Sequence, residues 1–214
     1  MSEAALRREI VAVAQAIDAA GFCPSKSGNV SARFGHGLLI TPSGLPYART
    51  QPEDIIHLAL DGTVLAGERK PSSEWPFHTA IYRARPEAQA IVHTHSPRAT
   101  ALSCARRGIP AFHYMIALCG GADVRCADYA TFGTPELARN AVAALEGRKA
   151  VLLANHGVIA LGSTLAGAHQ IVSEVENLAG QYLDLLAAGL EPAILDEAEM
   201  QRVSERFAGY GKLG

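Results

Sequence analysis

The spacing of hydrophobic residues along the chain predicts several amphipathic helices. Between residues 6 and 17, leucine, isoleucine and valine recur every three or four positions, which is the repeat of one helix face. Ser2 precedes this segment as a possible cap, and Gly21 follows it as a stop signal. Similar patterns and cap residues predict further helices at 75–85, 96–107, 134–147, 164–188 and 197–208.

Shorter apolar runs bounded by turn residues predict the strands. These runs are 38–41, 55–60, 63–65, 90–95, 112–118 and 150–155. Asp61-Gly62 joins the second and third runs as a hairpin turn, and the small residues of 25–31 predict a loop. The chain contains no repeat, low-complexity tract or linker. The pattern therefore favours one α/β domain over residues 1–214, with helices covering a sheet whose strand order stays open.

Composition and charge narrow the class of partner. The chain has 214 residues, 49% of them hydrophobic, and 19 basic against 21 acidic residues give a net charge of -2. Such a balance gives no reason to expect a nucleic-acid or membrane partner, so a small-molecule substrate is predicted. The start has neither a secretory pattern nor an apolar run of the roughly 20 residues that a membrane span needs, which favours a cytoplasmic protein. Four cysteines without a C-x-x-C pair are interpreted as reduced thiols.

Three histidines form a candidate metal site. His93 and His95 are two residues apart in a predicted strand, so their side chains project from one face. His156 follows another predicted strand and precedes Gly157, which allows close approach of the backbone. Three imidazoles with an open position are typical of catalytic zinc, although another transition metal is compatible. The alternative is three ordinary polar residues at strand ends.

Three loops rich in small polar residues are candidate phosphate sites. Ser72-Ser73-Glu74 precedes a predicted helix, where hydroxyls and free backbone N–H groups would attract an anion. Segments 27–31 and 41–44 offer similar donors. Each of the three also fits an ordinary helix cap or turn.

Taken together, five motifs resemble those of the class II aldolase family in composition, order and spacing. They are Ser27-Gly28-Asn29-Val30-Ser31, Ile40-Thr41-Pro42-Ser43-Gly44, Pro71-Ser72-Ser73-Glu74-Trp75, His93-Thr94-His95 and Asn155-His156-Gly157. The resemblance covers nearly the whole chain and is greatest to family members that cleave L-fuculose 1-phosphate. It implies a three-layer α/β fold in which a central, largely antiparallel sheet is flanked by helices. It also implies a zinc-dependent homotetramer that acts on a sugar phosphate.

The resemblance further implies roles for individual residues. Zinc would be held by Glu74, His93, His95 and His156, with Glu74 also the acid/base. Tyr114 would act as proton donor from a neighbouring subunit. Phosphate would contact Asn29, Ser43, Gly44, Ser72 and Ser73, and the aldehyde side would be lined by Phe132, Phe207 and Tyr210. Lys26 departs from the small hydroxyl residue common there, and it either strengthens phosphate binding or points into solvent.

The expected reaction is reversible cleavage of L-fuculose 1-phosphate to dihydroxyacetone phosphate and L-lactaldehyde. The same apparatus is compatible with a ribulose or deoxypentulose 1-phosphate aldolase, a 4-epimerase, a dehydratase or a decarboxylase of a phosphorylated sugar acid. A non-catalytic interaction domain, like the adducin head domain, is the alternative from another class. Such a domain need not keep metal ligands, whereas all three histidines and Glu74 are present here.

Overall fold

The computed structural model describes residues 1–209, which contain one eight-stranded sheet. Its strands are β1 Asn29–Phe34, β2 Gly37–Ile40, β3 Ile56–Ala59, β4 Val64–Ala66, β5 Ala90–Thr94, β6 Arg125–Ala127, β7 Ala150–Leu153 and β8 Gly157–Gly162. They lie in the order β4-β3-β2-β1-β5-β8-β7-β6. Neighbouring strands are antiparallel except β6 and β7. The predicted, largely antiparallel sheet is therefore confirmed.

Helices cover both faces of the sheet. They are α1 Glu3–Ala19, α2 Trp75–Ala84, α3 Pro97–Cys104, α4 Pro135–Ala144, α5 Leu165–Ala187 and α6 Glu197–Gly209. Apolar residues of α1, α3 and α5 form one buried cluster with the sheet, and α2 and α4 form a second cluster on the opposite face. The predicted three-layer arrangement is thus confirmed. Within residues 1–209, no helix combines the length and apolar character needed to cross a membrane.

The alternation of side chains along the central strands decides what each face contains. Val30 and Val92 belong to the α1/α3/α5 cluster, whereas Ile91 belongs to the α2/α4 cluster. Asn29 pairs with His93 in the β1–β5 register, and both have odd numbers, like Ile91. Because successive side chains of a strand point to opposite faces, Asn29 and His93 share the face covered by α2.

Most of the predicted helix starts are confirmed, but the N-terminal cap of α3 differs from the prediction. The side chains of Ser2, Thr134 and Thr164 accept backbone N–H bonds at the starts of α1, α4 and α5. Ser96 makes no such bond at the start of α3. Instead, the Glu176 carboxylate from α5 accepts the backbone N–H groups of Arg98 and Ala99. A tertiary contact therefore replaces the predicted local cap.

The strand predicted at 112–118 is wrong. Residues Tyr114–Cys119 form a 3-10 helix, at whose start the His113 ring accepts the backbone N–H of Met115 at 3.1 Å. Gly120, with φ of 92°, ends the segment. Ile116 and Ala117 are both buried although they are adjacent, which is incompatible with the alternation of a half-buried strand.

The local sequence pattern did not predict three of the strands, β1, β6 and β8. Residues 25–31 were predicted to be a loop, but β1 begins at Asn29 and pairs with both β2 and β5. Strands β6 and β8 were not predicted, and β8 pairs with both β5 and β7. The polar residues of β1 occupy a central strand because neighbouring strands satisfy their backbone groups, and the sequence segment alone does not show this.

Candidate metal centre and cleft

Four side chains converge on one point beside the sheet. The imidazoles of His93, His95 and His156 and the carboxylate of Glu74 each offer an atom, and these atoms lie within 4.8 Å of one another. The Nε2 atoms of His93 and His95 are 3.1 Å apart. Glu74 Oε2 lies 3.1 Å from His93 Nε2, and Oε1 lies 3.2 Å from His156 Nε2. The structure thus brings all four predicted ligands together.

This spacing fits a divalent cation. Zinc binds imidazole nitrogen at about 2.0–2.1 Å, so tetrahedral ligand atoms are about 3.3 Å apart. Three of the atom pairs, at 3.1, 3.1 and 3.2 Å, are close to that value. Glu74 Oε1 is also buried without a hydrogen-bond partner among the described residues, although His156 is near it. A shared cation would satisfy this oxygen, since a buried carboxylate oxygen otherwise loses its solvation.

Two of the ligands lie at the end of strand β5, His93 within it and His95 directly after it. His93 is fully buried, and His95 follows two residues later on the same face. His93 Nδ1 donates a hydrogen bond to the backbone carbonyl of Val158 at 2.9 Å. This bond places the ring proton on Nδ1 and leaves the Nε2 lone pair directed at the metal position.

A tight turn between β7 and β8 positions the third ligand, His156. Asn155 adopts φ of 54°, and its backbone N–H donates to the carbonyl of Ser103 at 3.0 Å. The backbone N–H of His156 donates to the hydroxyl of the same serine. A Cβ atom on Gly157 would lie 2.4 Å from the Thr94 carbonyl, so only glycine allows β8 to approach β5 here.

The surroundings favour the protonation states that metal binding requires. Burial raises the pKa of the Glu74 carboxyl, but the adjacent His93 and His156 outweigh burial and hold this pKa well below its usual range. Burial, together with the nearby rings of His93 and His156, lowers the pKa of His95 to about 3. Burial, with a smaller contribution from the nearby His93, likewise lowers the pKa of His78 to about 3. A carboxylate and neutral imidazoles are the forms that bind cations.

A cleft of about 280 Å³ opens beside the four ligands. Seven residues predicted to bind substrate line it together with Glu74, His95 and His156: Lys26, Asn29, Ser43, Gly44, Ser72, Ser73 and Phe132. Ser27 also lines the cleft, and its buried hydroxyl has no partner among the described residues. The three loops that were separate in the sequence therefore form one wall with many hydrogen-bond donors, as binding of a phosphate requires.

Other predicted residues lie elsewhere. Tyr114 is 50% exposed and is not part of this cleft. Its ring lies 6.3 Å from the ring of Phe207, which is also outside the cleft and packs against the α1/α3/α5 cluster. The structure thus places Phe207 beside Tyr114 and not in the cleft that Phe132 lines. Tyr210 lies outside the described residues.

Several residues near the site were missed from the sequence, among them Tyr129 and His78. Tyr129 lines the cleft and is 52% exposed. His78 is fully buried and contacts Asn29, which in turn donates to Glu74. The signal for His78 was available, because Glu74 and His78 are four residues apart at the start of a predicted helix and so share its face.

Comparison with known proteins identifies the family to which the chain is similar. A family profile described as Class II Aldolase and Adducin N-terminal domain matches residues 8–183. The chain is 51% identical to 5-methylthioribulose-1-phosphate/5-deoxyribulose-1-phosphate aldolase of Rhodospirillum rubrum, covering 98% of this chain and 94% of that protein. It is 42% identical to L-fuculose phosphate aldolase of Haemophilus influenzae, covering 99% and 97%. A solved L-fuculose 1-phosphate aldolase superposes with a TM-score of 0.93 at 41% identity, covering 97% of this chain and 98% of the other.

Proposed function

Because the chain belongs to the family of class II aldolase and adducin N-terminal domains, we propose that it is a zinc-dependent aldolase of ketose 1-phosphates. It would cleave its substrate reversibly to dihydroxyacetone phosphate and an aldehyde. The observation that carries this proposal is the junction of the Glu74/His93/His95/His156 cluster with a cleft rich in hydrogen-bond donors. A non-catalytic domain would need neither feature, so this junction favours an enzyme over an adducin-like interaction module.

The proposed chemistry divides into binding and proton transfer. When bound, the cation would supply Lewis-acid polarisation of the substrate's C2 carbonyl. Glu74, held as a carboxylate, would take the C3 proton of dihydroxyacetone phosphate in synthesis and return it in cleavage. Tyr114 of the partner subunit would donate a proton to the new C4 oxygen in synthesis and accept it in cleavage. One proton therefore moves at each end of the bond between C3 and C4, in opposite directions.

The phosphate is proposed to bind in the wall built from the three polar loops. Ser43, Gly44 and Ser73 are at the exposed rim, whereas Asn29 and Ser72 are buried deeper. The hydroxyls, amides and backbone N–H groups of such a wall suit the three terminal oxygens of a phosphate. Binding the phosphate there would fix the distance of the ketose carbonyl from the four ligands.

Lys26 is proposed to add a positive charge to this wall. It is exposed and lines the cleft. The Lys26→Met substitution is expected to raise KM about 3–10-fold with little change in kcat. The reason is that Lys26 would bind the phosphate equally well in the ground state and the transition state. Steady-state kinetics at low and high salt would measure this, with Lys149→Met, an exposed lysine outside the cleft, as control. Equal KM values for wild type and Lys26→Met at low salt would assign Lys26 to solvent.

For the substrate, the relatives and the cleft favour a 5-deoxypentulose 1-phosphate. The more similar of the two relatives named above acts, by its name, on 5-methylthioribulose and 5-deoxyribulose 1-phosphates. Tyr129, Ala130 and Phe132 line the cleft, which suits an apolar group at C5. We therefore rank 5-methylthioribulose 1-phosphate and 5-deoxyribulose 1-phosphate first. L-fuculose 1-phosphate, which carries a hydroxyl at C5, is the second candidate because of the resemblance to fuculose-phosphate aldolases.

The proposed function is tested by measuring release of dihydroxyacetone phosphate from these three substrates. The zinc-loaded protein is compared with a chelated sample and with His95→Ala. Metal-dependent release from any of the three supports the aldolase, and the ratio of kcat/KM values identifies the aldehyde preference. Binding without cleavage would exclude the aldolase, and the 4-epimerase, dehydratase and sugar-acid-phosphate decarboxylase reactions would then be assayed.

We further propose a homotetramer in which Tyr114 completes the neighbouring active site. In one chain Tyr114 is half exposed and outside the cleft, so it is available to a second copy. Glu74→Gln and Tyr114→Phe are each expected to be nearly inactive. Mixed oligomers, formed by coexpression of the two, should regain activity because some sites combine an intact Glu74 with an intact Tyr114.

The matched control pairs Glu74→Gln with His95→Ala. Both of these residues belong to the same chain's half of the site, so no mixed oligomer of that pair contains an intact centre. Recovery in the first mixture and none in the second supports the shared site. Failure of the first mixture to recover, with mixed oligomers demonstrated by mass spectrometry, would place the proton donor within one chain.

A further inference from the structure

A buried series of hydrogen-bonded polar side chains leads from Tyr82 to the carboxylate of Glu74. Asn29 Nδ2 donates to Glu74 Oε2 at 3.0 Å, and Asn29 Oδ1 contacts His78 Nε2. His78 Nδ1 lies 2.7 Å from the Ser31 hydroxyl, which lies 2.9 Å from the Tyr82 hydroxyl. Ser31 and His78 are fully buried, and Tyr82 is 1% exposed. No member other than Asn29 and Glu74 lines the cleft.

The ionised Glu74 carboxylate, at one end of this series, fixes the direction of every hydrogen bond in it. An ionised carboxylate only accepts, so the Asn29 amide nitrogen must face Glu74 and the amide oxygen must face His78. His78 therefore carries its single proton on Nε2 and donates to Asn29, because a fully buried imidazole without an acidic contact is neutral. Its Nδ1 then accepts from Ser31, and Ser31 accepts from Tyr82.

This hydrogen-bonded series combines two pairs of residues, and the members of each pair are close together in the sequence. Asn29 and Ser31 are two residues apart on β1 and share one face of the sheet. His78 and Tyr82 are four residues apart on α2, so they share the helix face that covers it. Glu74 lies four residues before His78, just ahead of the helix. Strand and helix thus present matching pairs of polar groups in an otherwise apolar layer.

From this geometry we propose that His78 is a positioning residue, which orients the Asn29 amide and through it holds the Glu74 carboxylate toward the metal ligands. The proposal rests on the proposed function in assigning Glu74 to the metal centre. With His78 in place, one N–H of Asn29 is committed to Glu74 and the second remains for a substrate oxygen in the cleft. Without it, the amide could reverse, and its oxygen would then face the carboxylate and repel it.

The test compares His78→Leu, which removes the donor, with His78→Gln, whose amide can donate to Asn29 and accept from Ser31. Zinc affinity by chelator competition and the visible spectrum of the cobalt-substituted protein report on the metal site without turnover. His78→Leu is expected to weaken zinc binding about 10–100-fold and to alter the cobalt spectrum, and His78→Gln should restore most of both. In assays with a substrate that the wild-type protein cleaves, His78→Leu should lower kcat by a larger factor than it raises KM.

Two comparisons separate positioning from packing. His57→Leu, which replaces a half-buried histidine packed edge-on against Phe34, should leave zinc affinity and spectrum unchanged. Ser31→Ala removes the donor to His78 Nδ1 and should give an effect between those of His78→Gln and His78→Leu. If His78→Leu does not fold, Ser31→Ala and His78→Gln carry the test: a zinc affinity in Ser31→Ala equal to that of wild type would overturn the proposal.

Equal impairment of the folded His78→Leu and His78→Gln proteins would also overturn it, because volume rather than hydrogen bonding would then be responsible. These outcomes are distinct from failure of the proposed function. A wild-type protein that cleaves none of the ketose phosphates would refute the aldolase, while the zinc and cobalt measurements would still decide the role of His78.

Discussion

Replacing Glu74 with glutamine is expected to lower kcat by about 10²–10⁴-fold, which is the usual contribution of a positioned acid or base. Glutamine has the same shape and can still accept the hydrogen bond from Asn29, but it cannot take the C3 proton at neutral pH. The three histidines remain in the variant, so bound zinc should be retained. Retention of metal with loss of turnover would separate the base role of Glu74 from its contribution to the metal site.

The measurement combines zinc content per subunit with steady-state kinetics on the best substrate. Glu176→Gln is the matched control, since Glu176 is also a buried glutamate but accepts backbone N–H groups at the start of α3. This control should lower the thermal stability and leave kcat near the wild-type value. Turnover of Glu74→Gln at the wild-type rate would remove Glu74 from the proposed mechanism.

Replacing His93 with alanine is expected to have the largest effect on metal binding. His93 is fully buried between His95, His156 and Glu74, and its ring is fixed by the Val158 carbonyl. Loss of a direct ligand should reduce zinc affinity by more than the roughly 10–100-fold that follows loss of a supporting hydrogen bond. Activity should fall to the level of the chelated wild type.

Thermal unfolding with and without zinc measures this effect independently of turnover. A ligand at about 1,000 times its Kd stabilises the folded state by about 4 kcal/mol, so zinc should raise the Tm of wild type and not that of His93→Ala. His57→Ala is the control, because that histidine is half-buried on β3 and is not among the four ligands. A zinc-dependent rise in Tm for His93→Ala equal to that of wild type would refute the assignment of His93 as a ligand.

The sequence alone predicted the local elements whose signal is contained in one segment. Apolar residues every three or four positions and terminal cap residues predicted α1, α2, α4 and α5. The alternation around His93 and His95 predicted that the two imidazoles share one direction, which the structure confirms in the 3.1 Å approach of their Nε2 atoms. Period and spacing are properties of the backbone, so neighbouring residues suffice to reveal them.

Resemblance extended the prediction to residues that are distant along the chain. It associated Glu74 and the three polar loops with the histidines. In the structure Glu74, the loops, His95 and His156 line one cleft, and His93 is buried beside them. It did not reveal the 3-10 helix at Tyr114–Cys119 or place Phe207 beside Tyr114. Both arrangements depend on packing against α5 and α6, which local spacing does not record.

What only the tertiary structure decided is the pairing of distant strands and the contacts that follow from it. β8 lies between β5 and β7, which brings the Val158 carbonyl to His93 and the His156 ring to Glu74. The pairing of β1 with β5 brings Asn29 beside His93, and packing of α2 on that face adds His78 behind it. The sequence by itself determined which side chains could serve as ligands and which way neighbouring ones point. Their distances were decided by hydrogen bonds and burial between segments far apart in the chain, because strand pairing is non-local.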